Sequence, residues 1–195
     1  MVTSLPEYVL IFFAYSILGW GMEVIYMGIR EKKLTNRGFL LGPFCPIYGV
    51  GLTGITMLFQ EYRGNFWFVF FSIILLCSVL EYTVSYVLER VFHTRWWDYH
   101  DMRFHIHGRI CAETMLAFGT LGTFALYRIN PFLMFLFHRI PSVMQNKLLV
   151  GFVFLLLMDL VISVHVLHNL NLPEGEADHT AEISRRVREA LTKHF

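Results

Sequence analysis

The sequence predicts an all-α integral membrane protein, a helical bundle of about five transmembrane helices. Three observations carry this. Of the 195 residues, 55% are hydrophobic and only 16% are charged, where an ordinary soluble domain has about 25% charged. The mean hydropathy is +0.51. The charges also gather at a few places and leave long apolar runs between them, and about 20 apolar residues suffice to cross a hydrocarbon core of roughly 30 Å. The lipid bilayer is therefore the first partner. A net charge of +1 offers no electrostatic footprint for a nucleic acid.

The spans follow in order. The first runs over 6–29, with Pro6 in the first helical turn, where a missing N–H costs nothing. It lacks a basic leader and continues to full span length, so it is expected to act as its own insertion signal. The second, over 44–59, is short and glycine-rich (Gly49, Gly51, Gly54). Before it, Gly38 to Pro46 is apolar but interrupted by Pro43 and Pro46, and two prolines three apart exclude a continuous helix. The third span, 66–88, has the cleanest apolar pattern. A polar, aromatic loop leads to the fourth at 110–127. The segment 131–138 is too short to cross and reads as an interfacial piece. The fifth span is 148–167. Residues 1–172 thus form a transmembrane domain, and 173–195 a helical tail. Its acidic start and basic end complement a helix dipole. Glu182 with Arg186 and Glu189 with Lys193 are favourable i,i+4 pairs, and Ile183, Val187 and Leu191 make a narrow apolar stripe. The three cysteines, Cys45, Cys77 and Cys111, read as reduced thiols.

Lysine and arginine placement sets the expected orientation. With five spans, the loop after the first span, the loop after the third and the tail share one side, and they hold 12 of the 16 basic residues. The prediction is a multi-pass cell-membrane protein with its N-terminus outside and its C-terminus in the cytoplasm.

The first two spans resemble the next two. Each pair opens with a span carrying a glutamate, Glu23 or Glu81. Each then has a basic loop followed by matching spacings, Arg37-x4-Gly42-x2-Cys45 and Arg103-x4-Gly108-x2-Cys111. This predicts a tandem two-helix repeat. Transporters place binding sites where such repeats meet and where helices are broken.

Four acidic residues lie within or beside spans: Glu23, Glu81, Glu113 and Asp159. A carboxylate at the centre of a membrane helix costs about 2.5–3.5 kcal/mol even on the lenient insertion scale. Each therefore needs a cation, a polar partner or a watery cavity. They are the expected substrate or ion pathway, with Arg37 and Arg109 as cations and Pro43 and Pro46 marking the broken segment. The alternative is a set of structural ion pairs. The loop from Trp96 to Arg109 holds His100, His105 and His107 beside Asp98, Asp101 and Cys111. Their spacing fits no zinc signature, so they are only weak metal candidates, and the expectation is no metal and no cofactor. No Walker A or G-x-S-x-G sequence is present.

The stretch Asn36-Arg37-Gly38-Phe39-Leu40-Leu41-Gly42-Pro43-Phe44-Cys45-Pro46-Ile47-Tyr48-Gly49 resembles the signature of the bacterial CmpB-like family of ABC-transporter type IV permeases. Tyr15-Ser16-x2-Gly19-Trp20-x2-Glu23 is similar to that family's opening. Glu81-Tyr82, Trp96-Trp97-Asp98-Tyr99 and Gly108-Arg109-Ile110-Cys111 resemble its second half. The chain departs from the pattern at His100, where a serine is expected, and at His105, where an asparagine is expected. The resemblance covers about residues 8–125. It implies a bacterial inner-membrane permease subunit that works with a separate ATPase subunit. The expected function is thus transport of a substrate the sequence does not name, by a homo-oligomer or with a partner. The rival readings are an interfacial enzyme acting on a lipid or isoprenoid headgroup and a non-transporting scaffold or sensor.

Overall fold

A computed structural model describes residues 4–32 and 39–170, together with 182, 183, 185–187 and 189 of the tail. The chain is a helical bundle. Helix α1 spans Leu5–Glu31, α2 Pro46–Phe59, α3 Phe66–Phe92, α4 Ala112–Phe124, α5 Asn130–Phe137 and α6 Ser142–Asn169. A small hairpin precedes α4, in which β1 (His105–Ile106) pairs antiparallel with β2 (Ile110–Cys111). Among the described residues, four helical rods are long and apolar enough to cross a membrane: 5–29, 66–92, 112–137 and 142–169. At 14 residues, α2 is about 21 Å long and falls short alone. The non-helical segment 39–45 leads into it.

The segment 131–138 is not a separate interfacial piece. Residues 112–137 form one rod, because a π turn over Ala125–Ile129 joins α4 to α5. Pro131 explains the turn, since a proline cannot donate the next helical hydrogen bond. The wider turn lets the Asn130 N–H reach the Ala125 carbonyl instead, and the rod continues.

The helices pair as α1 with α2 and α3 with α4, the two most extensive contacts in the bundle. Small residues permit both. A Cβ on Gly49 would lie 2.2 Å from Ser16 Oγ of α1, and one on Gly122 would lie 2.7 Å from Ile73 of α3. Between the pairs, Ile55, Val69, Ile73 and Leu126 form one buried cluster, and Ile11, Tyr15, Ala125 and Leu133 another. Helix α6 lies at the edge. It is held by Phe152, whose ring stacks on Phe13 at 5.1 Å, and by the packing of Phe152, Val153 and Leu156 around Phe13, Leu40 and Phe44.

Contacts assign the loops to two opposite ends. Glu7 of α1 meets His138 just after α5, and the Tyr127 hydroxyl donates to the Arg63 carbonyl. The tail lies at the other end, where Ile183 is buried with Trp96 and Leu167. The tail stripe thus rests on the chain's own loop through Ile183 and Val187, while Leu191 lies outside the described residues. Arg186 pairs with Glu182 at 2.6 Å as the spacing predicts. Glu189 pairs with Arg185 at 2.7 Å, and Lys193 is again outside the described residues.

Candidate functional site

The site begins with local packing on α1. Gly19 and Glu23 are one turn apart on the same face. Because Gly19 has no side chain, the Tyr48 ring of α2 lies directly over it, where a Cβ would be 2.3 Å away. That position carries the phenol to Glu23, and the Tyr48 hydroxyl donates to Glu23 Oε1 at 2.6 Å.

The second half is built along α3. Glu81, Tyr82, Ser85, Tyr86 and Glu89 occupy successive turns, and the loop after α3 folds back along them. The Tyr99 hydroxyl donates to Glu81 Oε1 at 3.1 Å. The Tyr82 hydroxyl and His107 Nδ1 are hydrogen-bonded at 2.9 Å. Arg109 Nη1 donates to Ser85 Oγ at 3.1 Å and pairs with Glu89 at 2.8 Å. Its guanidinium also lies over the Tyr82 and Tyr86 rings. Glu81 is eleven residues before the C-terminal end of α3, so the loop descends about 16 Å along the helix. Glu81 is therefore nearer the middle of its span than its end. Irregular backbone at such depth is tolerated where protein covers it; the inner residues Arg95, Trp96, Ile110 and Cys111 of the loop are buried, while its outer residues 101–107 are exposed.

The turn chemistry fits this path. His107 and Gly108 both have positive φ, 52° and 66°, and the Arg109 N–H closes the turn onto the Ile106 carbonyl at 3.0 Å. Gly108 has a second constraint, because a Cβ there would lie 2.3 Å from both Asp98 and His100. Arg95 fastens the loop from inside through Glu89 at 2.9 Å and Asp98 at 3.0 Å. Burial alone would lower the Arg95 pKa, but hydrogen bonds to Glu89 and Asp98 outweigh burial and hold it above the usual guanidinium value.

The two halves meet. Tyr48 is close enough to Cys45 and Tyr99 for both to act on it electrostatically. Glu23 with Tyr48 and Glu81 with Tyr99 thus make two carboxylate–tyrosine pairs, one from each half. A hydrogen bond to an ionised group contributes about 1.5–3 kcal/mol, which offsets most of the insertion cost of each carboxylate.

The other expected site residues have different places. Asp159 is not with the glutamates. Its Oδ1 accepts the Leu41 and Gly42 N–H groups at 3.1 and 3.0 Å, and its Oδ2 accepts Gly42 at 3.0 Å. Ser163 adds its hydroxyl at 3.1 Å. Asp159 therefore caps the broken segment from α6. Glu113 is exposed in the first turn of α4, and Arg109 lies with Glu89 instead. Pro43 is exposed in the broken segment and Pro46 is the first residue of α2. Arg37 lies outside the described residues. The histidines diverge. The His100 and His105 rings meet at 5.0 Å, while His107 turns to Tyr82. Among the described residues no three His, Cys, Asp or Glu side chains are grouped to hold a metal ion.

A second interior network has no counterpart among the expected site residues. The buried Tyr15 hydroxyl bonds Asn130 Oδ1 at 2.5 Å, and Asn130 Nδ2 donates to Thr56 Oγ1 at 2.6 Å. It ties α1, α2 and the π turn together. The signal was present as Asn130, an amide within an apolar stretch.

Compared with known proteins, the chain matches over residues 10–164 the family described as "Putative ABC-transporter type IV". The chain belongs to this family. The match to the ABC-transporter type IV family takes in both hairpins, the two carboxylate–tyrosine pairs and Asp159, and stops before the tail. No curated protein and no solved structure matches.

Proposed function

We propose that this chain is the membrane-embedded subunit of a transport system, with Glu23 and Glu81 at the centre of its substrate or ion pathway. One observation carries this reading. The interior carboxylates of the two hairpins are each bound by a tyrosine, and the two pairs are near enough to interact electrostatically, so each half contributes one carboxylate–tyrosine pair to the interior of an apolar bundle. Ionisable groups within spans mark ion and substrate routes. Arg109 flanks the route at the loop end, and Pro43 and Pro46 bound its broken segment. In this reading the hairpins are a tandem duplication. Cys45 and Cys111 are the N-caps of α2 and α4, and the preceding Gly42 and Gly108 each pack against an aspartate, which supports that origin.

Five crossing segments are few for a self-contained transporter, so the chain works as a homo-oligomer or with a separate ATPase subunit in the bacterial inner membrane. The basic loop end, which also receives the tail, faces the cytoplasm, and the N-terminus lies outside. Cysteine labelling from outside then reaches Asn65 and Gln145 but not His100, and labelling at His100 overturns the orientation.

The functional test is purification of the tagged chain from its own membrane, followed by ATP hydrolysis measurements on the reconstituted material. The expected result is co-purifying ATPase activity that falls in Glu23→Gln and Glu81→Gln at near-unchanged thermal stability. Purified material without ATPase activity overturns the coupling to an ATPase subunit, and activity unchanged in both variants overturns the role of the two glutamates. The interfacial-enzyme reading has one observation in its favour. Asp98 binds His100 Nδ1, an acid–imidazole pair suited to general base work, and hydrolysis of a lipid headgroup lost in His100→Gln would favour it.

A further inference from the structure

We infer that the hairpin preceding α4 is a lipid-inserting element whose outer strand enters the boundary between headgroups and acyl chains. The two strands differ sharply. Ile110 and Cys111 of β2 are buried, whereas Ile106 of β1 is 48% exposed and Phe104 beside it is 84% exposed. Phe104 also adopts φ 54°, a left-handed conformation uncommon for a bulky side chain. The backbone thus holds a phenyl ring outward where an aqueous loop would be expected to carry Gly or Asn.

The depth of the hairpin identifies the occupant. It is anchored by His107 to Tyr82 and by Arg109 to Ser85, and Tyr82 is ten residues, about 15 Å, before the end of α3. A helix of 27 residues exceeds the hydrocarbon thickness by only a few turns. The outer strand consequently lies alongside the part of α3 that enters the membrane. The exposed surface of α3 at this level includes Tyr86 and Val87, so the Phe104 and Ile106 side chains continue an exposed apolar surface of the bundle. Arg103 and His105, beside Phe104 in the chain, are the polar types that sit at headgroup level.

The test places a nitroxide at Phe104→Cys or Ile106→Cys in vesicles of phosphatidylcholine and phosphatidylglycerol. Labelled wild-type protein is the blank for Cys45, Cys77 and Cys111, and Asp101→Cys is the aqueous control. At 104 and 106, oxygen should relax the label several-fold more than a water-soluble nickel chelate does, with the order reversed at 101. If 104 and 106 behave like 101, the strand faces water and the inference fails. If both reagents are excluded at both positions, protein covers the strand, and the inference also fails.

Discussion

Replacing Asp159 by asparagine separates a structural from a transport role for this residue. The carboxylate accepts two backbone N–H groups of the broken segment and one hydroxyl of its own helix. Asparagine can keep the Oδ1 contacts to Leu41, Gly42 and Ser163. It cannot keep the Oδ2 contact to Gly42, where its amide would point a donor at a donor. The Gly42 N–H, shared between the two oxygens, loses one of its acceptors, and the remaining bonds lose a charge assistance that makes such bonds worth about 1.5–3 kcal/mol. The expected cost is about 2–4 kcal/mol. Alanine leaves the Gly42 N–H facing an apolar surround and should cost at least as much. Thermal unfolding in detergent, followed with a thiol-reactive dye, measures this through the free cysteines, of which Cys111 is buried. Gly42→Ala should resemble Asp159→Asn, because its Cβ would lie 2.7 Å from Oδ2, and the double variant should cost less than the two single losses together. An Asp159→Asn protein as stable as wild type would refute the capping role and return Asp159 to the pathway.

Three further outcomes are expected. Asn130→Ala breaks the link between Tyr15 and Thr56 and should lower stability by about 2–4 kcal/mol, with Tyr15→Phe costing about 1 kcal/mol in the same unfolding assay. Gly108→Ala meets both a positive φ and the Asp98–His100 pair; limited proteolysis should then cleave between residues 93 and 111, where wild type resists. Ile183→Asp removes the tail from Trp96, so tryptophan emission should shift to the red while stability falls by no more than about 1 kcal/mol.

The bundle was legible because span recognition needs only length and hydropathy, and both are strong here. The start of α2 was legible from Pro43 and Pro46, since a proline acts locally. The failure at 131–138 came from the same rule. Pro131 signals a break, but a π turn carries the rod past it, beside an Asn130 side chain that is bonded to the distant Tyr15 and Thr56. The glutamates were legible from the cost of burying charge. Their partners were not, because Tyr48 and Tyr99 reach them only through a bare glycine on α1 and a loop that descends along α3. Asp159 stands out for the same cost, and its partners, the Leu41 and Gly42 N–H groups, lie in a distant segment. An acid that caps backbone N–H groups and one that lines a pathway look alike until the distant segment is placed.

The clasp between Asp159 and Gly42 joins residues 117 positions apart, and this bears on biogenesis. A ribosome delivers the broken segment long before it delivers α6. In that interval the first hairpin holds an irregular stretch whose Gly42 N–H has not yet met its carboxylate, in a solvent that offers no substitute. The early hairpin should therefore persist as an open, partly inserted intermediate until α6 arrives and fixes it. Nascent chains stalled before residue 159 should be preferred substrates for membrane proteases, and chains stalled beyond α6 should escape them.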